Sequence, residues 1–265
     1  MAQSMSTSPM LRAVILDVDG TLAETERDGH RVAFNRAFDE LRLPWHWDVP
    51  TYGRLLRVAG GRERLLAWMG ERVEAPPGDV ERMQLAAQIH RSKGRHYQQL
   101  VAQGVVTARP GVLRLVHECA AAGIAMAIAT TTGRANVEAL FPHLFGDDWR
   151  KLFQAVICAE DAPNKKPDPQ VYEGALQALG CNAAEALAVE DSIAGLHAAR
   201  SAGIACLITR SIYFADAQFQ GASAVVEDLD SVPTWSGVDL PCIDLDALRA
   251  LHSMQGDKVT HRRVH

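Results

Sequence analysis

The stretch Ala13-Val14-Ile15-Leu16-Asp17-Val18-Asp19-Gly20-Thr21 decides the fold. Its apolar run reads as a buried strand, and the strand stops in two carboxylates and a glycine. Carboxylates fixed at the end of a buried strand are unfavourable unless a cation neutralises them or chemistry uses them. Gly20 lets the chain turn sharply there without a side chain crowding the carboxylates.

From about residue 108 onward, apolar runs and helical stripes alternate. Val112, Leu115, Val116 and Cys119 fall at helical spacing, Gly123 ends that helix, and residues 124–129 read as a buried strand. A helix around 137–144, a strand at 155–159, a helix at 169–179 and a strand at 186–189 follow. A helix at 193–202 and a strand at 205–208 complete the series. Short apolar strands separated by helices predict an α/β protein with a doubly wound, Rossmann-like parallel sheet. Strand 13–17 belongs to that sheet, so the core, 11–24 and 104–250, is split by an insertion at 25–103. The insertion carries helical stripes (Phe34, Ala37, Phe38, Leu41; then Met83, Ala86, His90, Tyr97, Val101) and no strand-like run, predicting an all-helical cap domain. The pattern weakens after about 220, and 1–10 and 251–265 are expected to be flexible tails.

Composition narrows the class. The 265 residues are 48% hydrophobic and carry a net charge of -5, which argues against a general nucleic-acid binder. No apolar stretch reaches the length of a membrane span, and residues 1–9 lack the basic start and apolar core of a signal peptide. Cys119, Cys158, Cys181, Cys206 and Cys242 are widely spaced and odd in number, so they read as small apolar residues of a cytoplasmic protein. A monomer with a small-molecule substrate is expected.

Four polar clusters fall at strand ends, where open α/β sheets bind ligands: Asp17-Val18-Asp19-Gly20-Thr21, Thr130-Thr131-Thr132, Lys166-Pro167-Asp168-Pro169 and Glu190-Asp191-Ser192. Each alone has a plain reading: a turn, the end of a strand, a solvated lysine or a helix cap. Together, in this order, they compose a phosphoryl-transfer site. Asp17 is the candidate nucleophile and Asp19 the candidate general acid and base. Asp17, the Asp19 backbone carbonyl and Asp191, helped by Glu190, form a hard oxygen set suited to Mg²⁺. Lys166 adds positive charge against the phosphoryl oxygens, and Thr130 and Thr131 offer a hydroxyl and a backbone N–H.

These motifs resemble those of the haloacid dehalogenase superfamily, and the resemblance spans nearly the whole chain, with the helical insertion matching the family's mobile cap. The presence of Asp19 implies ester phosphate chemistry rather than carbon–halogen cleavage. Within the cap, the stretch from Glu24 to Asn35, Trp45 to Asp48, Tyr52, Gly60 to Arg64 and Ile89 to Lys93 look like the CbbY group, phosphatases of xylulose-1,5-bisphosphate that accompany carbon-fixation genes. The resemblance implies that Glu24 and His30 flank the substrate at the hinge. It also implies that Arg62 grips a distal phosphate, with Arg64, Lys93 and Arg134 as alternates. Gly133-Arg134 departs from the group's pattern and leaves substrate preference open. The alternatives are a phosphomutase of the β-phosphoglucomutase kind, a phosphatase of another small ester such as phosphoglycolate, and a catalytically silent binding protein on the same fold.

Overall fold

The computed structural model describes residues 10–235 and 240–261. Six strands form one parallel sheet: β1 (Ala13–Leu16), β2 (Ala125–Ala129), β3 (Ala155–Ile157), β4 (Ala186–Glu190), β5 (Ala205–Thr209) and β6 (Ala224–Val226). Their spatial order is β3-β2-β1-β4-β5-β6. The chain steps outward from β1 to β3 on one side, then crosses back to β4 on the other. β1 therefore lies at the switch point of the sheet, where a crevice opens beyond the strand ends. In register, Leu16 pairs with Ile128 on one side and Val189 on the other. That alignment brings the residues following each strand into one row.

Helices cover both faces. α5 (Val112–Ala121), α6 (Arg134–Phe145) and α9 (Leu245–His261) pack on the side of Val14, Leu16 and Ile128, while α7 (Gln170–Leu179) and α8 (Ile193–Ser201) cover Ala13, Ile15 and Ala127. The tail expected from residue 251 is corrected: α9 continues to His261, with Leu251 and His252 buried. Leu245, Leu248 and Leu251, at helical spacing, anchor it in the core. Edge strand β6, with only three residues, is too short to give a period in the sequence.

The insertion folds as α1 (Arg31–Glu40), α2 (Val49–Leu55), α3 (Gly61–Gly70) and α4 (Asp79–Ala102), preceded by a wide π-type turn at Glu26–His30. An aromatic cluster holds the four together: Phe38 meets Trp47 edge-on at 5.0 Å, and Trp47 meets Trp68 edge-on at 5.8 Å. The expected α4 stripe needs correcting, because Met83 and His90 are exposed whereas Ile89 and Lys93 are buried. A buried lysine hides the true face from any hydrophobic count. The cap joins the core through two linkers that touch as an isolated bridge between Ala23 and Ala108.

Candidate active site

β1, β2 and β4 end side by side under the cap. Asp17 N–H donates to Val189 O at 3.1 Å, which extends the sheet pairing by one residue and fixes the Asp17 side chain at the strand end. The Lys166 ammonium donates to Asp17 Oδ1 at 2.6 Å, Ala129 O at 2.8 Å and Glu190 Oε1 at 2.5 Å, so one cation is tied to all three central strands. Its three protons are thereby used. Burial alone would lower the Lys166 pKa, but the Asp17 and Glu190 carboxylates outweigh it and hold the group charged.

Glu190 is fully buried and fully engaged. Oε1 also accepts from Tyr172 Oη at 2.8 Å, and Oε2 accepts from Asp191 N, Ser192 N and Ser192 Oγ at 3.1–3.3 Å. Gly195, in the first turn of α8, provides the room: a Cβ there would overlap the Glu190 carboxyl. Glu190 thus orients its neighbours, and the carboxylate of Asp191 faces the cleft. Asp17, Glu190 and Asp191 offer oxygen atoms within 4.8 Å of one another. Burial first, then the Glu190 charge, push Asp17 up to about 8 despite Lys166; burial and the charges of Asp17 and Glu190 push Asp191 well above the usual carboxylate range. Three buried carboxylates share a single ammonium, and this charge deficit, with donors that are all hard oxygens, fits a divalent cation.

Asp19 lives differently. Thr25 Oγ1 donates to its Oδ1 at 2.6 Å, and His30 Nε2 lies 3.1 Å from the same oxygen. Burial would raise its pKa, but the positive charge His30 can carry, and then the bonds from His30, Thr25 and Thr132, prevail and hold Asp19 well below the usual carboxylate range. Behind it, Lys93 Nζ sits 2.9 Å from His30 Nδ1. With Lys93 donating, the ring proton of His30 is on Nε2 and points at Asp19. Burial lowers Lys93 to about 8.

A cavity of about 550 Å³ lies between core and cap. Asp17, Asp19, Thr131, Lys166 and Asp191 line it, so these sequence-derived residues converge. Thr130 lies beneath the floor, its Oγ1 accepting from Thr132 N at 3.1 Å. His30 stands behind Asp19, next to a smaller void. Others do not converge. Glu24 turns to Arg109, 3.8 Å away, and is absent from the cleft wall. Arg62 is exposed on α3 and outside the wall, and Arg134 turns to Asp161 at 2.5 Å.

The cap presents Glu26 and Arg64 instead. Tyr52 Oη donates to Glu26 Oε2 at 2.5 Å and accepts from Arg64 Nη1 at 2.9 Å; Arg64 also donates to Leu55 O. The sequence alone offers Arg64 only as an alternate and gives Glu26, Tyr52 and Tyr172 no role. Glu26, the first residue of the π-type turn, lines the cleft where Glu24, before the turn, does not, and no sequence periodicity encodes that turn. Burial of an arginine and a tyrosine one helix apart is likewise a tertiary fact.

An α/β sheet with carboxylates and a buried lysine at its switch point, under a helical cap, is the frame of a hydrolase. The family model described as haloacid dehalogenase-like hydrolase matches residues 11–203, and the chain belongs to that family. Within it the chain falls in the CbbY-like group of phosphoric-monoester hydrolases. It is 44% identical to the plasmid-borne CbbY protein of Cupriavidus necator over 91% of this chain and 97% of that protein. A crystal structure of CbbY from Rhodobacter sphaeroides in complex with phosphate is 38% identical, with a TM-score of 0.77, covering 83% of this chain and 95% of that one. A mutant of the same protein, in complex with xylulose-(1,5)-bisphosphate, gives 37% identity and a TM-score of 0.78 over 87% and 100% of the two chains. Among the described residues no helix is long and apolar enough to cross a membrane.

Proposed function

We propose that this chain is a Mg²⁺-dependent phosphatase of a small sugar bisphosphate, xylulose-1,5-bisphosphate being the substrate favoured. The reading of the chemistry rests on one observation: Lys166 is bound to Asp17 at the floor of a capped cleft, beside an undercompensated carboxylate cluster. The reading of the substrate rests on the likeness to a CbbY protein described in complex with that bisphosphate.

In the first step an Asp17 carboxylate oxygen attacks phosphorus. The bond to the ester oxygen breaks, and that oxygen leaves with its electron pair and takes a proton from Asp19 as general acid. In the second step Asp19 accepts a proton from water as the water attacks phosphorus. The Asp17–phosphorus bond then breaks, releasing phosphate and restoring the carboxylate. The strong ionisation of Asp19 in this arrangement suits the second step directly; for the first, the proton must be supplied against the Thr25 and His30 bonds. The Thr131 backbone holds phosphoryl oxygens, and Lys166, held by its three bonds, sets a fixed positive charge beside them. Asp17, Asp191 and the Asp19 carbonyl, with Glu190 orienting the set, would hold Mg²⁺, which would supply charge neutralisation for the phosphoryl group.

From the cap, Glu26 accepts sugar hydroxyls, and Arg64 is the better candidate than Arg62 for the distal phosphate, because it lines the cleft. Activity in a cytoplasm that fixes carbon, where this bisphosphate would inhibit Rubisco, follows from the same group resemblance. The test is phosphate release with Mg²⁺ from a panel of xylulose-1,5-bisphosphate, ribulose-1,5-bisphosphate, phosphoglycolate and β-glucose-1-phosphate. A clear preference in kcat/KM for the xylulose compound over its ribulose epimer is expected. Equal turnover of all four would refute the substrate assignment, and conversion of β-glucose-1-phosphate to its 6-phosphate isomer would make the chain a mutase.

A further inference from the structure

The structure assigns a positioning role to Arg109, a residue outside the four motifs. Arg109 sits where the chain re-enters the core, and its backbone N–H donates to Leu22 O at 2.9 Å. Its side chain is only 9% exposed. The guanidinium donates to the carbonyl oxygens of Gly20, Thr209, Arg210 and Glu227 and to the Thr209 hydroxyl. These acceptors belong to the turns after β1 and β5 and to the end of β6. Only a planar fork with five donors can serve so many at once; a lysine has three protons on a single atom.

Gly20 is the pivot. It adopts φ +83° and lies so close to Asp191 that an added Cβ would overlap that carboxylate. It also directly follows Asp19, whose carbonyl is a proposed ligand. On the other side, Arg210 precedes Ser211, which is the next neighbour of the same Gly20 position. Arg109 therefore holds, from behind, the two turns that flank Asp191. Because it stands on the returning linker, it also ties those turns to the point where the cap joins the core. Arg109 does not line the cleft. Its effect reaches the cation site through Gly20 and the Arg210–Ser211 turn. This inference rests on the Mg²⁺ reading above.

The experiment is calorimetric titration of Mg²⁺ into the substrate-free full chain, alongside kcat and KM on an aryl phosphate. Arg109→Lys is compared with Arg114→Lys. Arg114 serves as the control because it makes a similar clamp away from the site, donating to Leu229 O at 2.7 Å and Ile243 O at 3.4 Å. Both variants are expected to lose thermal stability. Only Arg109→Lys is expected to weaken Mg²⁺ binding, by about ten-fold, and to lower kcat more than it changes KM. Wild-type Mg²⁺ affinity in a folded Arg109→Lys, or equal weakening in Arg114→Lys, would overturn the assignment. Should Arg109→Lys not fold, Thr209→Val removes one acceptor of the fork, and a Mg²⁺ affinity unchanged from wild type would likewise overturn it. A wild-type chain that binds no Mg²⁺ would instead remove the metal reading itself.

Discussion

The α/β core and the helical cap bring charged groups to the same cleft by different means. In the core, strand register aligns Asp17, Glu190 and Asp191 at the strand ends, and Lys166 reaches them from the loop after β3. Their rows of donors and acceptors are closed by backbone groups: Ala129 O, Asp191 N and Ser192 N. In the cap, Glu26, Tyr52 and Arg64 come from a turn and two helices and are held mainly by one another. Their placement depends on how aromatic rings pack beneath them. The core site is therefore rigid by construction, and the cap site is as precise as its packing. The two meet at Asp19 with Thr25 and His30, at Lys165 with Glu63 at 2.7 Å, and at the rings of Tyr52 and Tyr213 at 5.8 Å.

The sharpest break in this comparison is at Asp17. Asp17→Asn should lower kcat on any phosphate ester by roughly 10⁴-fold or more, because it removes the proposed nucleophile. An active Asp17→Asn enzyme would show that the core carboxylates serve only structure. Next is the cation. Saturating Mg²⁺ should raise the melting temperature of the wild type, with a stabilisation of about 2.7 kcal/mol at one hundred times Kd. Chelation should abolish turnover, and Asp191→Ala should lose the thermal shift. An equal shift in wild type and Asp191→Ala would place the ion elsewhere.

The cap is tested by its arginines. Arg64→Ala should lower kcat/KM for a sugar bisphosphate by roughly 10–100-fold, the worth of a charge-assisted bond, and should affect an aryl phosphate less. Arg62→Ala should stay within about two-fold, as expected for an exposed side chain off the cleft. The reverse order would mean that the cap closes onto Arg62 when substrate is bound.

Lys93 supplies a test by pH. Burial lowers its pKa from 10.5 to about 8, so between these values the unfolded chain binds more protons than the native one. The contribution of this group to stability must then rise with pH across that window, by on the order of 2 kcal/mol, and be constant below it. Urea denaturation of wild type and Lys93→Met at pH 7.5 and about 10 checks it: the difference between them should grow in favour of the wild type. A difference independent of pH would mean that Lys93 keeps its proton in the folded state. A small effect is also expected at the Lys165–Glu63 contact, whose glutamate is 46% exposed. Glu63→Gln should change kcat/KM by no more than about five-fold, and the exchange Glu63→Lys with Lys165→Glu should restore it.

Legibility followed the same division. The core motifs could be read because a buried apolar strand that stops in a charge is conspicuous in one dimension, and four such stops in order define an edge of a sheet. The cap was legible as helical but not in its details. His90 and Met83 were expected on the buried face of α4, whereas Lys93 occupies it, because His30 and two aromatic rings surround the ammonium. The part of α9 from residue 251 onward reads as a tail because the helix begins in a stretch without clear alternation. The sequence by itself determined the doubly wound sheet, the helical insertion and the carboxylates and lysine of the floor, since strand period and strand-end charge are local properties. Only the tertiary structure decided that Glu26 rather than Glu24 faces the cleft, that Arg64 is buried against Tyr52, and that Arg109 gathers three separate turns. Those choices depend on turn geometry and on packing between segments distant in the chain, and neither leaves a periodic trace in the order of residues.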